Sequence, residues 1–364
     1  MKEIFSKNKV NIGRQTELDI AKALSIIFMI FLHALMVVSV FNNEISIPYQ
    51  LIIGNILGKP YAAPIFMFCM GVGVVYSRHS QADVMIKRGV KLFLLGILVN
   101  VFEFFIPCYL SGILLHRWDI FPTAGGLLLF CVDILAFAGL SFILMGILKK
   151  FNLSNKAWLI IAAILSILGT LLRFTDFHND IINLFAGNFI GSAGGFTAFP
   201  LFNWFIFPAM GYIWGQYFIR CKDKNKFFKY WPILLLISIV YFVASTQIPD
   251  AFLIDNHHYY FMTTPDAIMC LINIHGCIGL CYTIKDKLPE KITKIFTILS
   301  THITIIYVIQ WLIIPIIMIL IEYYIKGIVF TDLTLFTYSI IIIIISTIIS
   351  IYIKKIITPK HKTK

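Results

Sequence analysis

Residues 17–36 read ELDIAKALSIIFMIFLHALM, and this stretch decides the class of fold. The chain is almost entirely apolar from here to residue 41, and about 20 such residues in a helix span the hydrocarbon core of a bilayer. Asp19, Lys22 and His33 nevertheless lie within it. Ionisable side chains are costly inside a membrane and usually mark functional sites. The stretch therefore predicts a membrane helix that carries chemistry.

The whole composition agrees with a membrane protein. The chain is 59% hydrophobic and only 13% charged, against about 25% charged residues in soluble domains, which excludes a water-soluble globule. The sequence predicts an all-α, polytopic integral membrane helix bundle, a single membrane-embedded domain (1–364) with short tails at 1–16 and 355–364. Apolar stretches predict ten spans, at 18–41, 54–76, 88–107, 123–148, 157–173, 199–219, 229–246, 265–284, 298–325 and 333–353.

The distribution of positive charge predicts the orientation of these spans. Lys and Arg accumulate in loops that stay in the cytoplasm, and 25 of the 30 lie in the two tails and in every second loop. Both termini are therefore expected in the cytoplasm, in a membrane predicted to be the bacterial cytoplasmic membrane. The net charge of +12 then requires no nucleic-acid partner. The second span contains Pro60 and Pro64, so we expect it to be broken or partly re-entrant.

The spacing of the ionisable residues in the first helix is informative. Lys22 and His33 are eleven residues apart, close to three helical turns, so their side chains share one face. Asp19 lies one turn before Lys22 on that face and can pair with it. We call these three residues the polar stripe. An alternative interpretation gives Asp19 and Lys22 no functional role. In it, the Lys22 side chain extends to the membrane surface and Asp19 is stabilised by the helix dipole in the first turn. That alternative does not account for His33.

The polar stripe resembles the head of the first membrane helix in the transmembrane acyltransferase superfamily. That superfamily includes acyltransferase family three proteins, which O-acylate bacterial surface sugars, and heparan-α-glucosaminide N-acetyltransferase-like proteins. Further stretches, among them VDILAFAGLSFIL (132–144) and FPLFNWFIFPAMGYIWG (199–215), are similar to the second of these branches. LSTHITIIYVIQW (299–311) resembles a motif that both branches share. The chain departs from the family pattern where Lys22 replaces an Arg and Gln310 replaces a common His. The second departure leaves His33 as the catalytic group.

This resemblance implies an acyl-CoA-dependent O- or N-acyltransferase. Acyl-CoA, most simply acetyl-CoA, would bind at the cytoplasmic mouth, where its phosphates need cations. The donor-binding candidates are Lys22, Lys87, Arg88 and Lys91. His33 would either take the proton of an incoming hydroxyl or amine or carry the acyl group itself. The acceptor would be a glycan or glycolipid on the outer side. The sequence leaves a homo-oligomer open.

A buried histidine needs a partner that orients its ring. Asp133 is the first candidate, as a second catalytic residue, because an Asp within a span is among the costliest residues to insert. A hydrogen bond that only joins helices is its alternative role. Other polar residues predicted at the same depth are candidates for orienting His33 or binding the acceptor, and they are Asn100, Glu103, Asn203, Trp204, Asn273, His275 and Gln310. For His275 a purely structural role is an equal candidate.

The loops predicted outside the membrane are acidic and contain histidines. Asp176, His178 and Asp180 form one group, and a second one comprises Asp250, Asp255, His257, His258 and Asp266. Such loops could bind a metal, but solvated acids are expected wherever the positive charges are held inside. We therefore predict a sugar-binding rim and no metal.

A transporter or exporter of a small molecule or lipid-linked sugar is the alternative function, because ten helices with charges inside the membrane also describe carriers. Carriers usually show two similar halves with matching broken segments, and no such pairing occurs in this sequence.

Overall fold

The computed structural model describes residues 4–119, 124–193, 197–248 and 251–357. This part of the chain is almost entirely helical. The α-helices, in chain order, are α1 (Thr16–Val38), α2 (Ile47–Tyr49), α3 (Lys59–Tyr61), α4 (Ala63–Tyr76), α5 (Ala82–Asn100), α6 (Ile106–Leu115), α7 (Ile134–Lys150), α8 (Asn155–Leu172), α9 (Asp180–Ile190), α10 (Leu201–Trp204), α11 (Ile206–Phe218), α12 (Lys224–Phe227), α13 (Trp231–Ser245), α14 (Asn256–Tyr260), α15 (Thr264–Ile284), α16 (Glu290–Tyr324) and α17 (Asp332–Ile357).

The remaining regular elements are short. Gln50–Gly58 and Val101–Phe105 are π-helical, and Ala124–Phe130 and Lys285–Lys287 are 3₁₀-helical. Two-residue strands, β1 (Asn43–Glu44) and β2 (Phe330–Thr331), pair in parallel, with Asn43 opposite Phe330. The predicted all-α polytopic bundle is confirmed.

Nine helical stretches in the described residues are long and apolar enough to cross a membrane. They are Thr16–Val38, Ile47–Tyr76, Ala82–Leu115, Gly126–Lys150, Asn155–Leu172, Lys224–Ser245, Thr264–Lys287, Glu290–Tyr324 and Asp332–Ile357. Each overlaps one of the ten predicted spans.

The sixth predicted span, at 199–219, overlaps none of these nine stretches and forms two helices separated only by Phe205. Phe205 itself keeps helical dihedral angles, φ −60° and ψ −22°. Pro208 explains the interruption, because it has no N–H to donate to the carbonyl of residue 204. Together α10 and α11 cover about 27 Å at 1.5 Å per residue, so the stretch has the length of a short span.

The second span is broken, as its prolines predict. Its first half is mostly π-helical, and the short helix α3 follows it. Ala62, with φ −80° and ψ −89°, separates α3 from α4. Pro64 disfavours the α conformation of the residue before it and has no N–H. The helix is therefore interrupted in the middle of this span.

The helices group into two compact units. One comprises Met1–Gln15, Ala63–Val101 and Thr123–Thr283, and the other comprises Thr16–Ala62, Phe102–Pro122 and Ile284–Lys364. In the first unit, glycines let helix backbones approach closely, as is usual for membrane helices. A Cβ built on Gly71 of α4 would lie 2.0 Å from the Pro208 carbonyl oxygen, and one on Gly139 of α7 2.4 Å from the Phe93 nitrogen.

The second unit is built around α1, α16 and α17. Asp19 and His33 of α1 contact Ser300 and Gln310 of α16, so these two helices run parallel. His302 and Tyr338 show that α17 runs antiparallel to α16, since His302 pairs with Ser350 while Tyr338 bonds the Ile314 carbonyl. Near the C-terminal end of α1, Ser46 donates its hydroxyl to the Asp332 carboxylate at 2.6 Å. This packing sets the polar stripe against α16.

Candidate active site

His33 lies near the C-terminal end of α1, about 25 Å along the helix axis from its first residue. Its Nδ1 is 2.8 Å from Nε2 of Gln310. Its ring stacks on Trp311 with centroids 4.3 Å apart and meets Tyr307 edge-on at 6.2 Å. These four residues, here called the His33 cluster, bring one residue of α1 together with three residues of α16.

The cluster uses only one nitrogen of the imidazole. Nε2 of His33 has no hydrogen-bond partner in the described part of the chain, and the side chain is only half-buried. Trp311 is held in turn, because its indole N–H donates to the Tyr307 hydroxyl at 2.9 Å. A ring fixed on one edge and open on the other can exchange a proton with a ligand through Nε2.

The other end of the polar stripe is organised differently from our expectation. Asp19 accepts a hydrogen bond from the Ser300 hydroxyl at 2.6 Å, and Lys22 forms no ion pair or side-chain hydrogen bond with any described residue. Asp19 and Lys22 therefore do not pair, and the serine of α16 contacts the carboxylate. The half-buried Lys22 ammonium remains available to an anion.

Sequence reasoning did not assign a role to Ser300, Tyr307 or Trp311. All three lie within LSTHITIIYVIQW, at intervals of seven and four residues, which places them on one face of a helix. Together with the resemblance of that stretch, this periodicity was the signal that could have identified them.

Comparison with known proteins agrees with this arrangement. A family model described as an acyltransferase domain, that of acyltransferase family three, matches residues 15–355, nearly the whole chain. The chain belongs to acyltransferase family three. The predicted resemblance is thus confirmed, and the protein is a membrane acyltransferase. No curated protein matches the sequence.

Asp133 of this acyltransferase lies in the first unit, at a break between helical segments. It is the N-cap residue of α7, directly after the short stretch that separates α7 from the 3₁₀ helix Ala124–Phe130. We expected it near the centre of a continuous span. The break instead places a buried carboxylate at a helix N-terminus, which the helix dipole favours.

Two buried asparagines hold the chain just before Asp133. Asn100 donates its amide to the carbonyls of Leu129 and Cys131 at 3.0 and 2.9 Å. Asn188 accepts the N–H of Val132 at 3.3 Å. Backbone groups that leave a helix inside a membrane must be satisfied by the protein. Asn100 thus satisfies backbone carbonyls in the segment that precedes Asp133.

Three of the other acceptor candidates are occupied by their own fold. Asn203 donates to the Met262 carbonyl at 3.0 Å, and the indole of the fully buried Trp204 donates to Tyr260 at 2.7 Å. His275 receives the Trp214 indole N–H on Nδ1 at 3.1 Å and also bonds the backbone of Phe227. These contacts hold the three side chains in place, and Oδ1 of Asn203 has no hydrogen-bond partner among the described residues.

Glu103 lies in the second unit, within the π-helical turn Val101–Phe105, and it is buried. Pro107 follows four residues later, and its ring displaces the carbonyl of residue 103 from regular α geometry. Turns of this kind are frequent at functional sites, so Glu103 remains a candidate for acceptor binding.

The remaining donor-binding candidates, Lys87, Arg88 and Lys91, are exposed near the start of α5 in the first unit. The guanidinium of Arg88 lies 4.8 Å above the ring of Phe142. Such a stacked guanidinium keeps its hydrogen-bond donors free.

The acidic loop residues form local contacts. In the described residues no three His, Cys, Asp or Glu side chains are arranged to hold a metal ion, and Asp250 lies outside that part of the chain. Asp255 accepts the backbone N–H of His258 at 2.9 Å, which lowers the pKa of its carboxyl below the ordinary value. The pKa of Asp176 is likewise lowered, chiefly by the side chain of Asn183.

Proposed function

We propose that this acyltransferase moves an acyl group, most simply acetyl, from cytoplasmic acyl-CoA to a hydroxyl or amine of a glycan or glycolipid outside the membrane. The observation that carries the proposal is the His33 cluster. Within a membrane span, one imidazole nitrogen is engaged by Gln310 and the other has no protein partner in the described residues. His302 also bonds through Nδ1 alone but is buried, whereas His33 is half-buried, so its second nitrogen can reach a ligand.

The chemistry follows from that free nitrogen. Nε2 of His33 takes the proton of the acceptor hydroxyl or amine while its oxygen or nitrogen bonds to the thioester carbonyl carbon. The carbon–sulfur bond then breaks, and the sulfur leaves as CoA thiol with the proton that His33 returns. The histidine ends as it began, and the products are the acylated acceptor and CoA. A route in which Nε2 first carries the acyl group uses the same atom.

Lys22 supports the placement of the donor. Its ammonium has no protein counter-ion among the described residues, and it lies about 16 Å along α1 from His33, at eleven residues of 1.5 Å. A phosphate of acyl-CoA bound by Lys22 would leave the flexible arm of the donor to extend along the polar stripe toward His33. We include Lys87, Arg88 and Lys91 as further donor contacts.

Asp133 and Glu103 complete the proposal. Both are buried acidic residues at irregular points of their spans. We assign Asp133 to catalysis and Glu103 to binding acceptor hydroxyls, because each places an acidic group inside the membrane at an interruption of regular helix. Removing either carboxylate charge, by Asp133→Asn or Glu103→Gln, separates these roles through kcat and acceptor KM.

The experiment is mass spectrometry of the envelope glycans of a deletion strain, complemented with the wild-type gene or with His33→Asn. We expect loss of an acetyl-sized mass that the wild-type gene restores and the variant does not. Incubating purified protein in lipid vesicles with radiolabelled acetyl-CoA and the deletion strain's glycan fraction should transfer the label to glycan. An unchanged glycan profile together with no transfer of label would reject the proposal.

A further inference from the structure

The carboxamide of Gln310 is an unusual neighbour for a catalytic imidazole, because it can serve either as donor or as acceptor. Gln310 is fully buried, and its Nε2 faces Nδ1 of His33 at 2.8 Å. Its Oε1 is also buried and has no hydrogen-bond partner in the described residues. The amide oxygens of Asn100 and Asn203 are also buried without a partner among those residues, so the contact with the imidazole of His33 is what distinguishes Gln310.

The two orientations of this carboxamide select different tautomers of His33. When the amide nitrogen donates to Nδ1, the ring hydrogen must lie on Nε2, and Nε2 cannot accept a proton. A half-turn of the amide about its last torsion places Oε1 against Nδ1. Nδ1 then carries the hydrogen, Nε2 becomes a base, and Oε1 has a partner. The oxygen and NH₂ groups are nearly equal in size, so the half-turn needs no repacking.

We propose that Gln310 is the positioning residue of His33, whose Oε1 accepts the Nδ1–H in the reactive state and makes Nε2 the base. This inference rests on the proposed function of His33. The stacked Trp311 keeps the ring plane fixed while the amide turns. In this role glutamine does through a neutral amide what a carboxylate does for the histidine of a hydrolase triad.

The direct contacts of the ring include few titratable groups. In the described residues, the hydrogen-bond and ring contacts of His33 are with Gln310, Trp311 and Tyr307, all from α16. Of these only the Tyr307 phenol titrates, and it already accepts the indole N–H of Trp311. In the described part of the chain no carboxylate or ammonium bonds the ring. A change in the pH dependence of a Gln310 variant would therefore report on His33.

The test compares Gln310→Leu and Gln310→Glu in membranes, with radiolabelled acetyl-CoA and the deletion strain's glycan fraction as acceptor. Loss of a positioning partner of this kind typically costs 10- to 100-fold, so Leu should lower kcat by about that factor with donor KM within twofold. Glu offers only acceptor oxygens and a negative charge, which stabilises protonated His33. It should retain most of kcat, and the acidic limb of the pH–rate profile should move to higher pH.

Two controls keep the roles separate. Gln310→Leu should add nothing to the defect of His33→Asn in the double variant, since it acts through that histidine. Solid-state ¹⁵N spectra of histidine-labelled protein should show hydrogen on Nδ1 of His33 in the wild type and a changed tautomer population with Leu.

Wild-type kcat and pH profile in both Gln310 variants, with His33→Asn inactive, would overturn this inference alone. Activity of His33→Asn would overturn the proposed function itself. If Gln310→Leu fails to fold, Gln310→Glu and the wild-type spectrum still decide the question.

Discussion

At the scale of single residues, three histidines on membrane helices differ in how their nitrogens are used. His275 accepts the indole N–H of Trp214 on Nδ1 and packs against the ring of Phe227. His302 is 8% exposed and bonds Ser350, whose own hydroxyl bonds the Thr347 carbonyl. His33 is half-buried and engages only Nδ1. Its accessible and unused nitrogen is what suits it to catalysis.

We expect His33→Asn to lower kcat by about 10²- to 10⁴-fold, the usual contribution of a general acid–base group. Asparagine keeps a hydrogen bond to Gln310 but cannot take a proton. The measurement is label transfer from acetyl-CoA in membranes, with protein amount checked by immunoblot. His302→Asn, a histidine outside the His33 cluster, serves as the matched control and should remain within about threefold of wild type. Near wild-type transfer by His33→Asn would move the transporter alternative ahead.

Lys22→Ala should weaken donor binding with little change in kcat, because it removes a charge-assisted hydrogen bond to a phosphate. Such a bond contributes roughly 1.5–3 kcal/mol, so donor KM should rise about 10- to 150-fold. Lys22→Arg should restore most of the affinity. Lys156→Ala, an exposed lysine in the first turn of α8, is the control. An unchanged donor KM in Lys22→Ala would remove this lysine from the donor site.

At the scale of elements, prolines explain where helices depart from regular geometry. Pro64, Pro107 and Pro208 lie beside the break at Ala62, the π turn at Val101–Phe105 and the interruption at Phe205. Each proline removes one backbone donor. The π turn contains a buried acid, Glu103.

The packing of α4 on α11 gives a prediction about stability. Gly71→Ala would place a methyl group 2.0 Å from the backbone oxygen of Pro208, which cannot rotate away, whereas nothing lies within 4 Å of a Cβ on Gly73. We therefore expect Gly71→Ala to destabilise the protein by about 1–3 kcal/mol or more, as overpacking does. Gly73→Ala should leave stability unchanged. Thermal unfolding in detergent measures both, and equal melting temperatures would contradict this packing.

At the scale of the whole molecule, the parallel packing of α1 and α16 constrains the number of crossings. Two parallel membrane helices must be separated by an odd number of crossings. In the described residues, six of the nine long apolar stretches lie between them; if each of the six crosses once, one further stretch crosses as well. The interrupted helix Leu201–Phe218 matches a predicted span and has the required length. We infer that this helix is the seventh crossing between α1 and α16. With α1, α16 and α17 themselves, the total is ten crossings.

Reporter fusions test this topology. Fusions after residues 84, 152, 224 and 289 should report cytoplasm, and fusions near 116, 180, 256 and 329 should report the outside. The pair at 180 and 224 isolates the interrupted helix, because the two reporters fall on opposite sides only if Leu201–Phe218 crosses. A single inverted loop would contradict the ten-span topology.

Much of this fold follows from local properties of the chain. Whether a segment enters a bilayer depends on the apolar character of about 20 consecutive residues, so nine long apolar helices of the described residues overlap predicted spans. The missed interruption at Phe205 depends on one backbone hydrogen bond inside an otherwise apolar stretch. Hydropathy does not register that loss.

The candidate site also combines features that follow from the local sequence with features that follow from tertiary packing. The sequence by itself determined the polar stripe, because residues at positions 19, 22 and 33 share a helix face whatever surrounds them. Only the tertiary structure decided their partners. Ser300 replaced Lys22 as the contact of Asp19, and Gln310, 277 residues from His33 along the chain, became the neighbour of its ring. Such pairings depend on which helices pack together and in what register, and that is a property of the whole bundle.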